Sequence, residues 1–164
     1  MAGYSIIVSS IHSDEEFKAL TATQQLLYFK LLSHPFHNKA GFYHLDIEYT
    51  ARMLMRCSEA KLKKDLLAET GLWKYDESTD VILIPNYMKY NKAAGSKTLT
   101  GLKRELEQLP KTRLCVEFIY KLNELTNGEG LYYLPKQMVE TALALTKNQE
   151  SVMDSLVYKY ISTL

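Results

Sequence analysis

The stretch "AGFYHLDIEYTARMLMRCSEAKLKKDLLAETGLWKYDESTDVILI", from Ala40 to Ile84, changes its hydrophobic period three times. It opens on a short strand-like run with Gly41 to free the backbone. It passes through two segments whose apolar residues recur three and four apart. It closes on alternating and then continuous apolar residues. Period two fits a strand and period 3.6 fits a helix. The stretch therefore reads strand, helix, turn, helix, hairpin, and few compact folds accommodate that order in so short a span.

Local signals place the boundaries. Asp46 is expected to cap the helix "IEYTARMLMR", with Ile47, Ala51, Leu54 and Met55 on its apolar face. Cys57 and Ser58 form the turn. Ser58 caps "EAKLKKDLLAET", where Leu62 and Leu66 point inward with Leu67 a further candidate, Lys61, Lys63 and Lys64 are left largely outward between the core positions, and Gly71 is the natural residue just past the end. Trp73 and Tyr75 alternate along one side of the hairpin, "DEST" turns, and Val81 to Ile84 return. Upstream, Ser13 with Glu16 matches a capping box for a short helix to Leu20. Thr21 or Thr23 caps the next helix, in which Leu26, Leu27, Tyr28, Leu31 and Leu32 form a wide apolar face that ends before Pro35. This order is the plan of a winged helix-turn-helix, with the helix from Ser58 to Thr70 in the recognition position. The fold class is mainly α with a small β-hairpin wing, followed by a helical carboxyl-terminal part.

Boundaries follow at residues 1–92 for the winged helix-turn-helix, 93–99 for a linker, and 100–164 for the helical part. In the last, Thr100 caps a short helix ending before Pro110, "KTRLCVEFIYKLNEL" is a helix, "TNGEG" turns, "LYYL" is extended, and "KQMVETALALT" and "QESVMDSLVYKYIST" are helices. Two accounts of this part stand side by side. It is either a second, degenerate repeat, since Leu20, Thr23, Phe29, Gly41, Tyr43 and Leu45 align without gaps on Leu109, Thr112, Phe118, Gly130, Tyr132 and Leu134, or a set of helices sharing generic apolar periodicity.

Composition bounds the function. A net charge of +1 over 164 residues means that any nucleic-acid binding must rest on local charge. Cys57 and Cys115 show no paired spacing, which suits a reduced interior and a cytoplasmic protein. No run approaches the roughly 18 apolar residues of a membrane span, so no membrane partner is expected. Phosphate-cradling glycine loops and the short motifs of serine hydrolases and zinc proteases are absent from the sequence, so neither catalysis nor a cofactor is expected. His34, His37, His44 and Cys57 could be imagined around a metal. His34 and His37 straddle a proline turn and lack paired-ligand spacing, so no metal is expected.

Local charge exists in two places. Between Tyr49 and Tyr75 there are six basic and three acidic residues. Arg52, Arg56, Ser58, Lys61, Lys63 and Lys64 are the candidate DNA contacts there; the bland alternative is a solvated helix face. From Ile84 to Arg104 there are five cations and no acid. Lys89, Lys92, Lys97, Lys103 and Arg104 could track a phosphate backbone, with Tyr87 and Tyr90 stacking on an unpaired base; the alternative is a solubilising linker. The tip "DESTD" carries three carboxylates, which would repel phosphates and tell against a wing lying in a groove.

From Ser13 to about Pro110 the chain resembles the amino-terminal part of phage replication-initiation proteins, the replisome organisers, which are related to the amino-terminal winged helix of DnaD-type primosome proteins. The likeness rests on "SDEEFKALTATQQLLYFKLLSHPFHNKAGFYHL", on the hairpin followed by "IPNYMKYN", and on "LKRELEQLP". It implies binding of double-stranded DNA, with single-stranded DNA a further ligand. It also implies self-association, contact with a replicative helicase or its loader, and residence in the cytoplasm of a bacterial host. The carboxyl-terminal part is short for that family. A different class of function stays open: a protein–protein interaction module, such as a phage-encoded inhibitor or adaptor of a host protein, favoured by the low net charge and the acidic tip.

Overall fold

The computed structural model describes residues 5–91, 96–126 and 134–146. The chain is mainly helical with one three-stranded antiparallel sheet. After a 3-10 turn at Ser9–Ser13 come α1 (Glu15–Ala19), α2 (Ala22–Leu32), β1 (Phe42–His44), α3 (Ile47–Tyr49) running on as a π-helix (Thr50–Met55), α4 (Glu59–Leu66), β2 (Lys74–Asp76) and β3 (Val81–Leu83). Then follow α5 (Tyr87–Tyr90), α6 (Ser96–Glu107), α7 (Leu114–Thr126) and α8 (Lys136–Thr146).

The caps show where local chemistry decides. Thr21 caps α2 through a reciprocal pair: its hydroxyl accepts from the Gln24 N–H, and the Gln24 amide oxygen accepts from the Thr21 N–H. Asp46 caps α3 by accepting from Tyr49 N at 2.9 Å, and Ser58 caps α4 by accepting from Lys61 N at 3.3 Å. The expected capping box on Ser13 does not form. Ser13 is used up closing the 3-10 turn, so Asp14 becomes the extended residue at the helix start and accepts from Phe17 N.

Other expectations need correction. Leu26 is 47% exposed, off the buried face made by Leu27, Tyr28, Leu31 and Leu32, and Leu67, offered as an inward residue, is likewise exposed just past the end of α4. Gly71 is not the residue after α4, which ends at Leu66. The Trp73 indole N–H donates to the Leu66 carbonyl at 3.0 Å, so a side chain seven residues on takes the helix-end acceptor. Finally, α6 begins at Ser96, so the residues expected as linker after 95 are helical and Thr100 lies inside the helix rather than capping it.

The sheet order is β1-β3-β2, with Phe42 and Lys74 both opposite Leu83, and Tyr43 and Tyr75 both opposite Ile82. β3 is central and apolar on both faces. Ile82 and Ile84 pack with Tyr43 and Tyr75 against Leu27, Leu31, Leu62 and Leu66 from the first helices and against Trp73 just before β2. Val81 and Leu83 pack with Phe42 against Leu114, Phe118 and Ile119 of α7 and against Met138 and Ala142 of α8. Phe42 and Phe118 have ring centroids 4.7 Å apart. One sheet is thus the partition between two apolar cores. The expected division at 92 and 100 runs between α5 and α6, yet side chains on both sides of it share the second core.

Gly41 makes the entry to β1 possible. Its φ is +65°, and a Cβ there would sit 2.4 Å from the Cβ of Tyr87. Only a residue without a side chain fits that approach. The turn expected at "TNGEG", most of "LYYL", and the last helix lie outside the described residues, and with them Gly130 and Tyr132 of the proposed repeat, whose Leu109, Thr112, Phe118 and Leu134 are described.

Candidate nucleic-acid interface

α4 meets solvent along one side because only Leu62 and Leu66 are buried in it. Its Ser58 hydroxyl is engaged as the cap. Lys61 and Lys64 are exposed, and neither has a carboxylate within 4 Å among the described residues. Arg56 is exposed and likewise has no such partner. It closes the π-helix at φ 51°, ψ 46°, a left-handed conformation uncommon for a residue with a Cβ. Arg52 is exposed but forms a 3.0 Å ion pair with Glu48 one turn away. Such exposed pairs are weak, so a phosphate could displace it.

Lys63 departs from the outward position expected for it. Its ammonium lies 3.5 Å from Asp80 of the hairpin, and its side chain is 32% exposed. The other basic candidates are dispersed. Lys89 is exposed on α5, with its ammonium 5.4 Å from the Tyr90 ring centroid. Lys103 is half-buried and Arg104 exposed on α6, Lys97 belongs to that same helix, and Lys92 lies outside the described residues.

The two tyrosines expected to stack on bases part company. Tyr90 is 42% exposed, with the Lys89 ammonium over its ring. Tyr87 is 1% exposed, and its hydroxyl lies 2.7 Å from Ser5 Oγ, so it cannot stack on an incoming base. Its contact with Gly41 explains why: the ring fills the core above the sheet entry.

The acidic tip needs a larger correction. Asp76 is buried and accepts from the Thr112 hydroxyl at 2.6 Å and the Ser78 hydroxyl at 2.7 Å, with the Arg113 guanidinium 4.0 Å away. Burial pushes its carboxyl up, but the hydrogen bonds from Thr112 and Ser78 outweigh that and hold it near pH 2. Asp80 accepts from the Tyr75 hydroxyl and faces Lys63. Glu77 alone of the three carboxylates is fully outward. The tip is therefore far less repulsive to phosphate than its composition suggests, because two of its charges are spent inside the protein.

His34 and His37 have structural partners. His34 is fully buried, accepts from Phe36 N at Nδ1 and faces the Thr50 hydroxyl at Nε2. His37 Nδ1 faces the His34 carbonyl, and His44 is exposed on β1. Among the described residues no three His, Cys, Asp or Glu are grouped to hold a metal. Among the same residues no helix is long and apolar enough to cross a membrane.

The roles of Asp76, Asp80 and Thr112 escape sequence reasoning. Nothing in the spacing links Thr112 to Asp76, 36 residues apart, or Lys63 to Asp80. Comparison with protein-family models, with curated proteins and with solved structures found no match.

Proposed function

We propose that this chain is a winged helix-turn-helix protein of the phage replication-initiation kind, which binds duplex DNA through α4 and carries out no catalysis. One observation carries the reading. α3 and α4 are joined by a short turn and followed by a hairpin whose strand β3 pairs with β1 in the order β1-β3-β2, and Arg56, Lys61 and Lys64 stand exposed and unpaired there. That is the connectivity in which a recognition helix is presented to a major groove. The lysines would neutralise phosphates, and the side chains earliest in α4, Glu59 and Ala60, would face base edges. The hairpin acts here as a bracket rather than as a groove reader. Its turn is short, and the second face of its sheet is covered by α7 and α8. Self-association, a helicase or loader partner, and single-stranded DNA as a second ligand belong to the same reading.

A second reading is favoured by a different observation. Met53 is 66%, Phe36 56% and Leu67 49% exposed, and exposed apolar side chains of this size suit a protein partner. Fluorescence anisotropy with random duplex and single-stranded DNA separates the two. Three phosphates neutralised by Arg56, Lys61 and Lys64 give a log–log salt slope of about −2.7, or roughly a 40-fold loss of affinity for a fourfold rise in salt. K61E/K64E should abolish binding with an unchanged circular dichroism spectrum. No binding at micromolar protein in low salt would refute the DNA reading in favour of the protein-partner one, and binding indifferent to those substitutions would refute α4 as the reader.

A further inference from the structure

Lys63 lies on the helix proposed to meet DNA, between Lys61 and Lys64, yet its ammonium is directed to the hairpin. The carboxylate that holds it is itself held. Asp80 occupies a left-handed backbone position with φ +50°, its carbonyl accepts from Leu45 N at 2.7 Å, and its carboxylate accepts from the buried Tyr75 phenol. Tyr75 is anchored in turn by its place opposite Ile82 in the sheet. The Lys63–Asp80 pair is only partly open to solvent, with side-chain exposures of 32% and 34%, so it is less screened than a free surface pair.

We infer that Asp80 is an internal counter-ion that occupies Lys63 in place of a DNA phosphate, so that the hairpin sets how much positive charge α4 offers to DNA. This rests on the DNA-binding reading above. If Lys63 turned to a phosphate, the Asp80 carboxylate would be left unpaired beside the polyanion, and the loss would offset the new contact. The pair therefore contributes no counterion release on binding, and Asp80 is a positioning residue for α4 rather than a contact. It also limits non-specific attraction, since each cation withheld lowers the affinity for any sequence alike.

The decisive variant is D80N. Asparagine tolerates the left-handed position and its amide oxygen still accepts from Tyr75, so the hairpin is retained while the charge goes. Salt-dependent anisotropy on random duplex DNA should show a slope steeper by about 0.9 and an affinity higher by about five- to tenfold near 0.1 M salt, the effect of one added phosphate contact. The double variant D80N/K63M should return the slope to that of the unaltered protein, which separates a recruited Lys63 from a mere loss of repulsion. D80G, which takes the same backbone conformation freely, stands in if D80N fails to fold. An unchanged slope in D80N, or a gain that survives K63M, overturns the inference while leaving the DNA reading intact, provided that K61E/K64E still abolishes binding. Absence of salt-dependent binding by the unaltered protein overturns the DNA reading, and this inference with it.

Discussion

Mild acid, between pH 6.5 and 4, should destabilise this protein through His34. Its ring has no solvent-exposed surface. The Thr50 hydroxyl donates its proton to the Asp46 carbonyl at 2.6 Å, so at 3.0 Å from His34 Nε2 it can only accept. Nδ1 meanwhile accepts from Phe36 N at 3.2 Å. The ring is therefore neutral with its proton on Nε2, and a second proton would set two N–H donors against each other. Burial, reinforced by the nearby His37 and partly opposed by Asp46, lowers its pKa from 6.5 to about 4. The sign follows: the unfolded chain takes up the proton near pH 6.5 and the folded chain only near pH 4. Stability is thus full above pH 6.5 and falls as the pH drops through that window. By linkage the loss is about 2 kcal/mol at pH 5 and about 3 kcal/mol at pH 4. Urea denaturation followed by the fluorescence of Trp73, the chain's single tryptophan and itself buried, measures this at pH 7.5 and 5.0. H34Q cannot titrate. It should start about 2 kcal/mol less stable at pH 7.5, because the Phe36 N–H loses its acceptor. Its further loss between pH 7.5 and 5.0 should be smaller than that of the unaltered protein by about 2 kcal/mol, whatever other groups contribute. Equal losses in the two proteins, or an NMR titration of His34 centred near 6.5, would refute the reasoning.

Two further substitutions test the packing. G41A should cost about 3 kcal/mol, from a positive φ and a Cβ driven into Tyr87; a thermal midpoint unchanged from the parent would show that this approach relaxes cheaply. F118A removes a ring packed on Phe42 across the sheet from Trp73 and should cost about 3–5 kcal/mol, lowering the Trp73 transition and the helical circular dichroism transition together. If the Trp73 transition stayed in place, the carboxyl-terminal helices would be independent of the first core.

Much of the first 91 residues was legible because its signals are local. Thr21, Asp46 and Ser58 each cap a helix by accepting from an N–H three residues on, and that offset is visible in the sequence. The alternation of Trp73 and Tyr75, and the return of Val81 to Ile84, mark the hairpin for the same reason. The boundaries that were misread have causes outside the three-residue capping offset. α4 ends where the Trp73 indole reaches Leu66, and Ser13 gives up the cap because a 3-10 turn precedes it. Of the candidate site, Lys61 and Lys64 stand in the open as their spacing suggested, Arg56 is exposed beside them, and Lys63 and Tyr87 are not in the open. An unbroken apolar run such as Val81–Ile84 is itself a sign of a strand covered on both faces, and here it is the sequence's trace of the second core.

The sequence by itself determined the kind and order of the elements from α2 to β3, because period and capping act over three or four residues. Only the tertiary structure decided which charges remain for a partner. The three carboxylates of "DESTD" look alike in sequence, but Thr112 takes one, Lys63 and Tyr75 take another, and solvent keeps the third. That sorting depends on which donors of α4 and of the turn before α7 the fold brings within about 3.5 Å, and a hydrogen bond or ion pair between such distant residues carries no periodic trace along the chain.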